Sequence, residues 1–250
     1  MYSYVLVFKV SKTGLRSLTF HSFFLVSKDF KSHVTHDYVK MIKRGVIMKR
    51  VLITGFMPFG GETINPSYLA IQKIDMDTAD IQLMKLEVPT VYGTSISTVW
   101  KSIEQFHPDI IMMVGQAGGR KEISIERIAI NIDDSTTPDN LGEARIDRPI
   151  VKEGEPAYFS TLPIKKMVER LKEAGIPSAI SNSAGTYVCN HLMYAILHQI
   201  HSNNLKNIQA GFIHVPYIQE QILDKKDVFA LKLDDIVRAL LILIHTSVEV

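Results

Sequence analysis

The chain has 250 residues, 46% of them hydrophobic and 22% charged, enough for a sizeable core in one folded unit or two. Its one cysteine, Cys189, excludes an intrachain disulfide framework and suits a reducing, cytoplasmic setting. The net charge of +2 is uneven: residues 1–50 carry 10 Lys/Arg against 2 Asp/Glu and the remainder 18 against 24, so the body is mildly acidic and shows no basic face for nucleic acid.

Residues 1–47 come first, basic and without the strand–helix rhythm that follows. Their apolar stretch Leu18–Val26 is interrupted by His21 and Ser22, and no small-residue cleavage site follows it. No run in the chain reaches the roughly 18 apolar residues of a membrane span. We expect residues 1–47 to be an extension outside the working domain, with Met48 as the natural start and 48–250 as the catalytic domain. A targeting or membrane-surface segment is the alternative.

From Lys49 the pattern becomes regular. Arg50–Thr54 reads as a strand that runs into a glycine-rich loop, Gly55 to Gly61, and Asn65-Pro66-Ser67 opens a helix with Pro66 at its first position. Ile81–Val88 reads as a strand, Val91–Phe106 as a helix and Asp109–Val114 as a buried strand ending at a second loop, Gly115 to Arg120. Ile123–Ile132 alternates and reads as one strand, and Thr136–Tyr158 as a long loop or irregular excursion. Leu162–Ala174 is a predicted helix stopped by Gly175, and Ser178–Ser181 a short strand. Val188, Leu192, Met193, Ile196, Leu197 and Ile200 mark an amphipathic helix, Gln209–Val215 a strand and Asp234–Ile244 a last helix. Strands alternating with helices predict a single-domain three-layer α/β/α sandwich around a mostly parallel twisted sheet. Ligand sites on such sheets lie beyond the C-terminal ends of strands. Both glycine loops, Cys189 and His214 fall near such ends.

Cys189 lies in the first turn of its predicted helix, where unpaired N–H groups and the helix dipole favour an anion and so a thiolate. A lone cysteine is more often a small buried hydrophobe than a nucleophile, so the rest of the chain has to decide. A cysteine nucleophile needs a base, usually histidine. Of nine histidines, His214 is the one set inside an apolar strand run, as a base or as a satisfied core histidine. His191 follows Cys189 by two and points elsewhere on a helix. His198 and His201 lie three apart with no third ligand, so no metal site is expected. Glu126, beside Arg127 in a strand, is either half of a charged edge or the acid that orients His214. Neither glycine loop is a dinucleotide or phosphate fingerprint. They suit close backbone approach to a small ligand, with Phe56 and Phe59 as pocket walls or as core rings.

Four motifs together resemble the pyroglutamyl peptidase I (pyrrolidone-carboxylate peptidase) family. They are Gly55-Phe56-x-Pro58-Phe59-Gly60-Gly61 with Asn65-Pro66-Ser67; Gly115-Gln116-Ala117-Gly118-Gly119-Arg120 with Glu126-Arg127-x-Ala129-x-Asn131; Ser183 to Asn190; and Gly211 to Pro216. The resemblance implies a cytoplasmic cysteine exopeptidase acting on N-terminally pyroglutamylated peptides, usually a homotetramer, with no metal or organic cofactor. It implies Cys189 as nucleophile, His214 as general base and Glu126 as third member. It further implies Phe56 and Phe59 flanking the substrate ring, Gln116 meeting the lactam through its backbone, and Tyr187, Val188 and Asn65 in the substrate site. Tyr187 stands where phenylalanine is usual, and Ser135-Thr136-Thr137 where many members carry an arginine. A catalytically silent binding protein on the same fold is the alternative. A nucleotide-binding enzyme would need a ribose acid and a phosphate cradle that the sequence lacks.

Overall fold

The periodicity of the sequence becomes layers in the computed structural model, which describes residues 48–76 and 78–249. The extension expected over 1–47 lies outside the described residues. In chain order the elements are β1 (Lys49–Phe56), α1 (Pro66–Lys73), β2 (Ile81–Val88), α2 (Thr94–Phe106), β3 (Ile110–Gln116), β4 (Ile123–Glu126), β5 (Ile128–Ile130), β6 (Asp133–Ser135), β7 (Arg145–Arg148), β8 (Ala157–Phe159), α3 (Ile164–Glu173), β9 (Ser178–Ser181), α4 (Val188–Ser202), β10 (Gln209–Val215), β11 (Tyr217–Ile218), β12 (Ala230–Leu231) and α5 (Leu233–Val248). No helix among them is long and apolar enough to cross a membrane.

The main sheet has the order β2-β1-β3-β10-β4-β9. Its first four strands are mutually parallel; β4 pairs antiparallel with β10 and parallel with β9. Alternation along each strand sends side chains to opposite faces. Val51, Ile53, Ile110, Met112, Val114, Ile213 and Val215 pack against α1, α3 and α5. Leu52, Ile111, Met113, Ala210 and Phe212 pack against α2 and α4. The central strands are therefore mostly apolar, with Thr54, Gln116 and His214 as buried exceptions, as expected for strands covered on both faces, and the expected three-layer α/β/α sandwich is what forms.

Three sequence expectations need correction. Gly55 and Phe56 belong to β1, so the first glycine loop starts at Met57. The helix expected from Val91 begins at Thr94, after Gly93 takes a left-handed φ of 70° at its cap. The single strand expected over Ile123–Ile132 is two strands that break at Arg127: β4 joins the main sheet and β5 pairs with β8 instead. The reason is visible in the pattern. Ile123 and Ile125 occupy odd positions, Ile128 and Ile130 even ones, and a one-residue slip turns every later side chain to the other face. Ile123 and Ile125 accordingly lie in one core layer and Ala129 in the other. The irregular excursion that follows holds β7, paired with β6 across a register shift, and β8.

Candidate active site

The two central parallel strands set the site. Register pairs His214 of β10 with Gly115 of β3, and with Ser124 of the antiparallel β4 on its other side. Glu126, two residues beyond Ser124, keeps the same face and reaches the imidazole. Its Oε1 accepts from His214 Nδ1 at 2.7 Å. A carboxylate only accepts, so Nδ1 carries the proton and Nε2 is left as the basic nitrogen. Both residues are buried, Glu126 fully. The Cys189 thiol lies over Gly115: a Cβ built there would stand 3.0 Å from Cys189 Sγ. Cys189, His214 and Glu126, far apart in sequence, thus gather around Gly115.

Cys189 is the second residue of α4, as its periodicity required, and the Tyr187 cap makes no side-chain hydrogen bond to the first turn. The helix dipole does not decide the thiol's charge. Burial pushes the Cys189 thiol up to about 12, Glu126 adds to this, and Arg120 opposes it. Desolvation thus works against the ionisation that the helix start favours. Burial likewise pushes His214 below the usual histidine range despite the opposing pull of Glu126. Burial opposes ionisation of Glu126 too, but the bonds and charge of His214, with Ser181 and Arg120, hold its carboxyl below the usual range. These directions favour a neutral thiol and a neutral imidazole beside a carboxylate in the resting site.

The pocket residues divide. Phe59 and Tyr187 face each other with centroids 5.9 Å apart, and Tyr92 meets Tyr187 edge-on at 5.8 Å, forming an aromatic wall beside the nucleophile's helix. The Tyr187 hydroxyl donates to Pro138 O at 2.9 Å, so the residue that replaces a phenylalanine ties down the neighbouring loop. Phe56 is a core ring, 2% exposed. Its part is to back Phe212, 6.3 Å away, whose ring lies 4.8 Å from that of His214. The Val188 side chain is fully buried in the core, which leaves only its backbone for a ligand. Gln116 Oε1 accepts from Gln221 Nε2 at 2.9 Å, so its side chain is occupied and its backbone fixed at the strand end. Asn65 caps α1: its Oδ1 accepts from Ser67 N and its Nδ2 donates to Met57 O. It shapes the first loop, and one N–H of its amide is left without a protein partner among the described residues.

Sequence reasoning missed two partners. Arg120 Nη1 donates to Glu126 Oε1 at 2.6 Å, and its Nη2 to Ser183 O at 3.1 Å. The signal available was the lone cation closing the second glycine loop, six residues before a buried acid. His191 does point away from Cys189, but into a second buried pair. Its Nδ1 donates to Asp133 Oδ2 at 2.9 Å, Arg145 Nη1 donates to the same oxygen at 2.9 Å, and His191 Nε2 accepts from Gly93 N. His198 hydrogen-bonds Tyr158 rather than pairing with His201. Among the described residues no three acids, histidines or cysteines are grouped to hold a metal.

Comparison with known proteins identifies the family. The profile of the family described as pyroglutamyl peptidase matches residues 49–250. The pyrrolidone-carboxylate peptidase of Brachyspira hyodysenteriae is 53% identical over 198 residues, which cover 79% of this chain and 98% of that protein. Pyrrolidone-carboxylate peptidase 1 of Caldanaerobacter subterraneus is 49% identical over 201 residues, covering 80% of this chain and 97% of that one. The crystal structure of Bacillus amyloliquefaciens pyroglutamyl peptidase I superposes with a TM-score of 0.77 at 44% identity, covering 81% of this chain and 98% of that one.

Proposed function

The chain belongs to the pyroglutamyl peptidase family, and we propose that Cys189, His214 and Glu126 carry its reaction. It is a cysteine-type hydrolase that removes an N-terminal pyroglutamyl residue from peptides. The observation that carries the site assignment is the 2.7 Å bond from His214 Nδ1 to the fully buried Glu126, next to a thiol seated on Gly115.

In this reading His214 Nε2 takes the Sγ proton as Sγ attacks the pyroglutamyl carbonyl carbon. The attack forms an S–C bond and an oxyanion. First-turn N–H groups of α4, that of Cys189 included, stabilise the oxyanion as it develops, so the helix end acts on the transition state although it does not ionise the resting thiol. Collapse breaks the C–N bond, and the imidazolium returns the proton to the leaving amine. Water, deprotonated by His214, then cleaves the thioester. Glu126 fixes the tautomer and stabilises the transient imidazolium. Phe59, Tyr187 and the backbone at Gln116 receive the flat neutral lactam, which asks for apolar walls and a few aimed backbone bonds.

The same reading makes 48–250 the catalytic domain of a cytoplasmic homotetramer that uses no metal or organic cofactor. The single cysteine supports the compartment, and the family match from residue 49 supports the boundary. The test is release of a chromophore from a pyroglutamyl amide, with a prolyl amide as control. Wild type cleaves the first alone, and Cys189→Ala folds and cleaves neither. Turnover by Cys189→Ala would remove the thiol from the mechanism. Sedimentation of the native protein at the mass of a monomer would remove the tetramer.

A further inference from the structure

We infer that Arg120 is a positioning residue for the reaction: through one carboxylate and one carbonyl it holds the catalytic acid and the nucleophile's turn together, and its charge sets the pH range of activity. The inference rests on the assignment of Cys189, His214 and Glu126 given above.

The geometry is specific. Glu126 Oε1 is shared, accepting from His214 Nδ1 at 2.7 Å and from Arg120 Nη1 at 2.6 Å. The other arm of the same guanidinium donates to Ser183 O at 3.1 Å, six residues before the nucleophile in the turn that leads into α4. One planar fork therefore spans from the acid to the segment that delivers Cys189, a task that suits arginine and not the point charge of lysine. Glu126 is fully buried, whereas the Arg120 side chain keeps 28% of its exposure. A buried carboxylate left with a neutral histidine alone would be costly, and the guanidinium balances it while reaching water.

The charge has a second effect. The ionisable groups facing His214 are Glu126 from β4, Arg120 from the loop before it and Cys189 from the first turn of α4. The neighbours supplied by β3 and by β10 itself, Gly115 and Phe212, carry no charge. Arg120 is thus the fixed cation beside Cys189 and His214, the two groups that exchange a proton in the reaction, while Glu126 stays ionised. A fixed positive charge disfavours the imidazolium and favours the thiolate, so it moves both limbs of the activity profile in the same direction, toward acid. That sign is independent of where the proton rests within the Cys189–His214 pair, because it acts on the pair's macroscopic titrations. The guanidinium beside the pair pulls the Cys189 thiol and the His214 imidazolium down alike.

The test is the pH profile of kcat/KM on a pyroglutamyl amide, with the pH dependence of Cys189 alkylation by iodoacetamide as a second readout that needs no turnover. In Arg120→Gln both limbs move to higher pH by about one unit, and the alkylation curve moves with them. In Arg120→Lys, which keeps the charge and loses the fork, the profile stays within about 0.3 unit of wild type while kcat/KM falls roughly tenfold or more for want of the tether to Ser183. If Arg120→Gln does not fold, the lysine variant carries the test alone. A Gln variant that loses activity with its profile unmoved, or a Lys variant whose profile shifts or whose kcat/KM equals wild type, overturns the inference. Turnover by Cys189→Ala would instead overturn the site assignment beneath it, so the two failures are distinguishable.

Discussion

Gly115→Ala tests whether the thiol is held where the structure puts it. The new methyl would stand 2.8 Å from Phe212 Cζ and 3.0 Å from both Phe212 Cε1 and Cys189 Sγ. Carbon contacts settle near 3.5–4.0 Å, so relief of about 0.5–1 Å is needed. The Phe212 ring cannot supply it. It is fully buried, with the Phe56 ring centroid 6.3 Å away and that of His214 4.8 Å away. The thiol, free to turn about its own Cα–Cβ bond, gives way first. A displacement of that size at a reacting atom costs on the order of 10²-fold in rate, or about 2.7 kcal/mol of barrier, on top of about 1–3 kcal/mol of overpacking. Gly115 is not among the glycines with positive φ, so backbone strain does not enter. Gly211→Ala is the control. Its methyl would meet Ser160 Oγ at 2.2 Å and Leu162 Cδ1 at 2.7 Å, none of them site atoms. The assay is kcat/KM per titrated active site on a pyroglutamyl amide, alongside thermal melting of both variants. We expect both to melt lower and only Gly115→Ala to lose about two orders of magnitude in kcat/KM. A Gly115→Ala enzyme within about threefold of wild type would refute the placement of Sγ against β3.

Other outcomes follow from the same geometry. Phe56→Ala should cost about 3–5 kcal/mol of stability as a core truncation, whereas Phe59→Ala should raise KM with little change in melting; the reverse pattern would exchange wall and core. Tyr187→Phe should lower stability by about 1 kcal/mol through loss of the bond to Pro138 O and leave kcat intact, and a large kcat loss without a change in melting would mean that the hydroxyl faces the substrate. Stability should fall as the medium is acidified. His214 is held neutral by burial, with its folded pKa below the ordinary 6.5, so its contribution is complete above that value and is lost as pH falls through the folded pKa. Glu126, held ionised below the ordinary 4.5 despite its burial, adds a further loss at lower pH by the same sign. Thermal melting from pH 7 to 4 should show His214→Asn with a shallower slope than wild type between pH 7 and 5, and coincident slopes would count against a buried neutral His214.

What the sequence showed depended on how local the cause was. Strands such as Ile81–Val88 and Ser178–Ser181 were legible to the residue, because a short apolar run with stops at both ends has few other uses. The start of α4 was legible for the same reason, and with it the place of Cys189. The break between β4 and β5 was written in the phase of the isoleucines and was lost by counting apolar residues without their parity. Pairing across the sheet was not legible. Nothing in one strand says that β4 runs antiparallel beside β10, and that arrangement alone brings Glu126 to His214. The charge of the thiol was only half legible, for a different reason. Position at a helix end is local and visible, but the desolvation that works against it is a property of the whole packed site.

The acids around the site bear on which N-terminus the aromatic wall can accept. Glu126 is bonded to His214 and Arg120. Asp133 is bonded to His191 and Arg145. Asp139 accepts from the backbone of Tyr92, Leu141 and Glu143, and those bonds hold it below the usual range although burial opposes this. The Arg145 guanidinium lies over the Tyr92 ring, 4.4 Å from its centroid, placing a cation on the outer side of the wall. In the proposed pocket an ordinary peptide would bring an ammonium group to Phe59, Tyr187 and Tyr92, where Glu126, Asp133 and Asp139 are already hydrogen-bonded to other groups. Removing that ammonium from water without a partner costs several kcal/mol. A pyroglutamyl terminus has closed its amine into a neutral lactam and escapes that cost. Discrimination therefore does not need a residue that recognises the ring's missing charge. With Glu126, Asp133 and Asp139 each bonded before a substrate arrives, none of the three is free to pair with an incoming ammonium, and Arg120 and Arg145 hold two of them in that state.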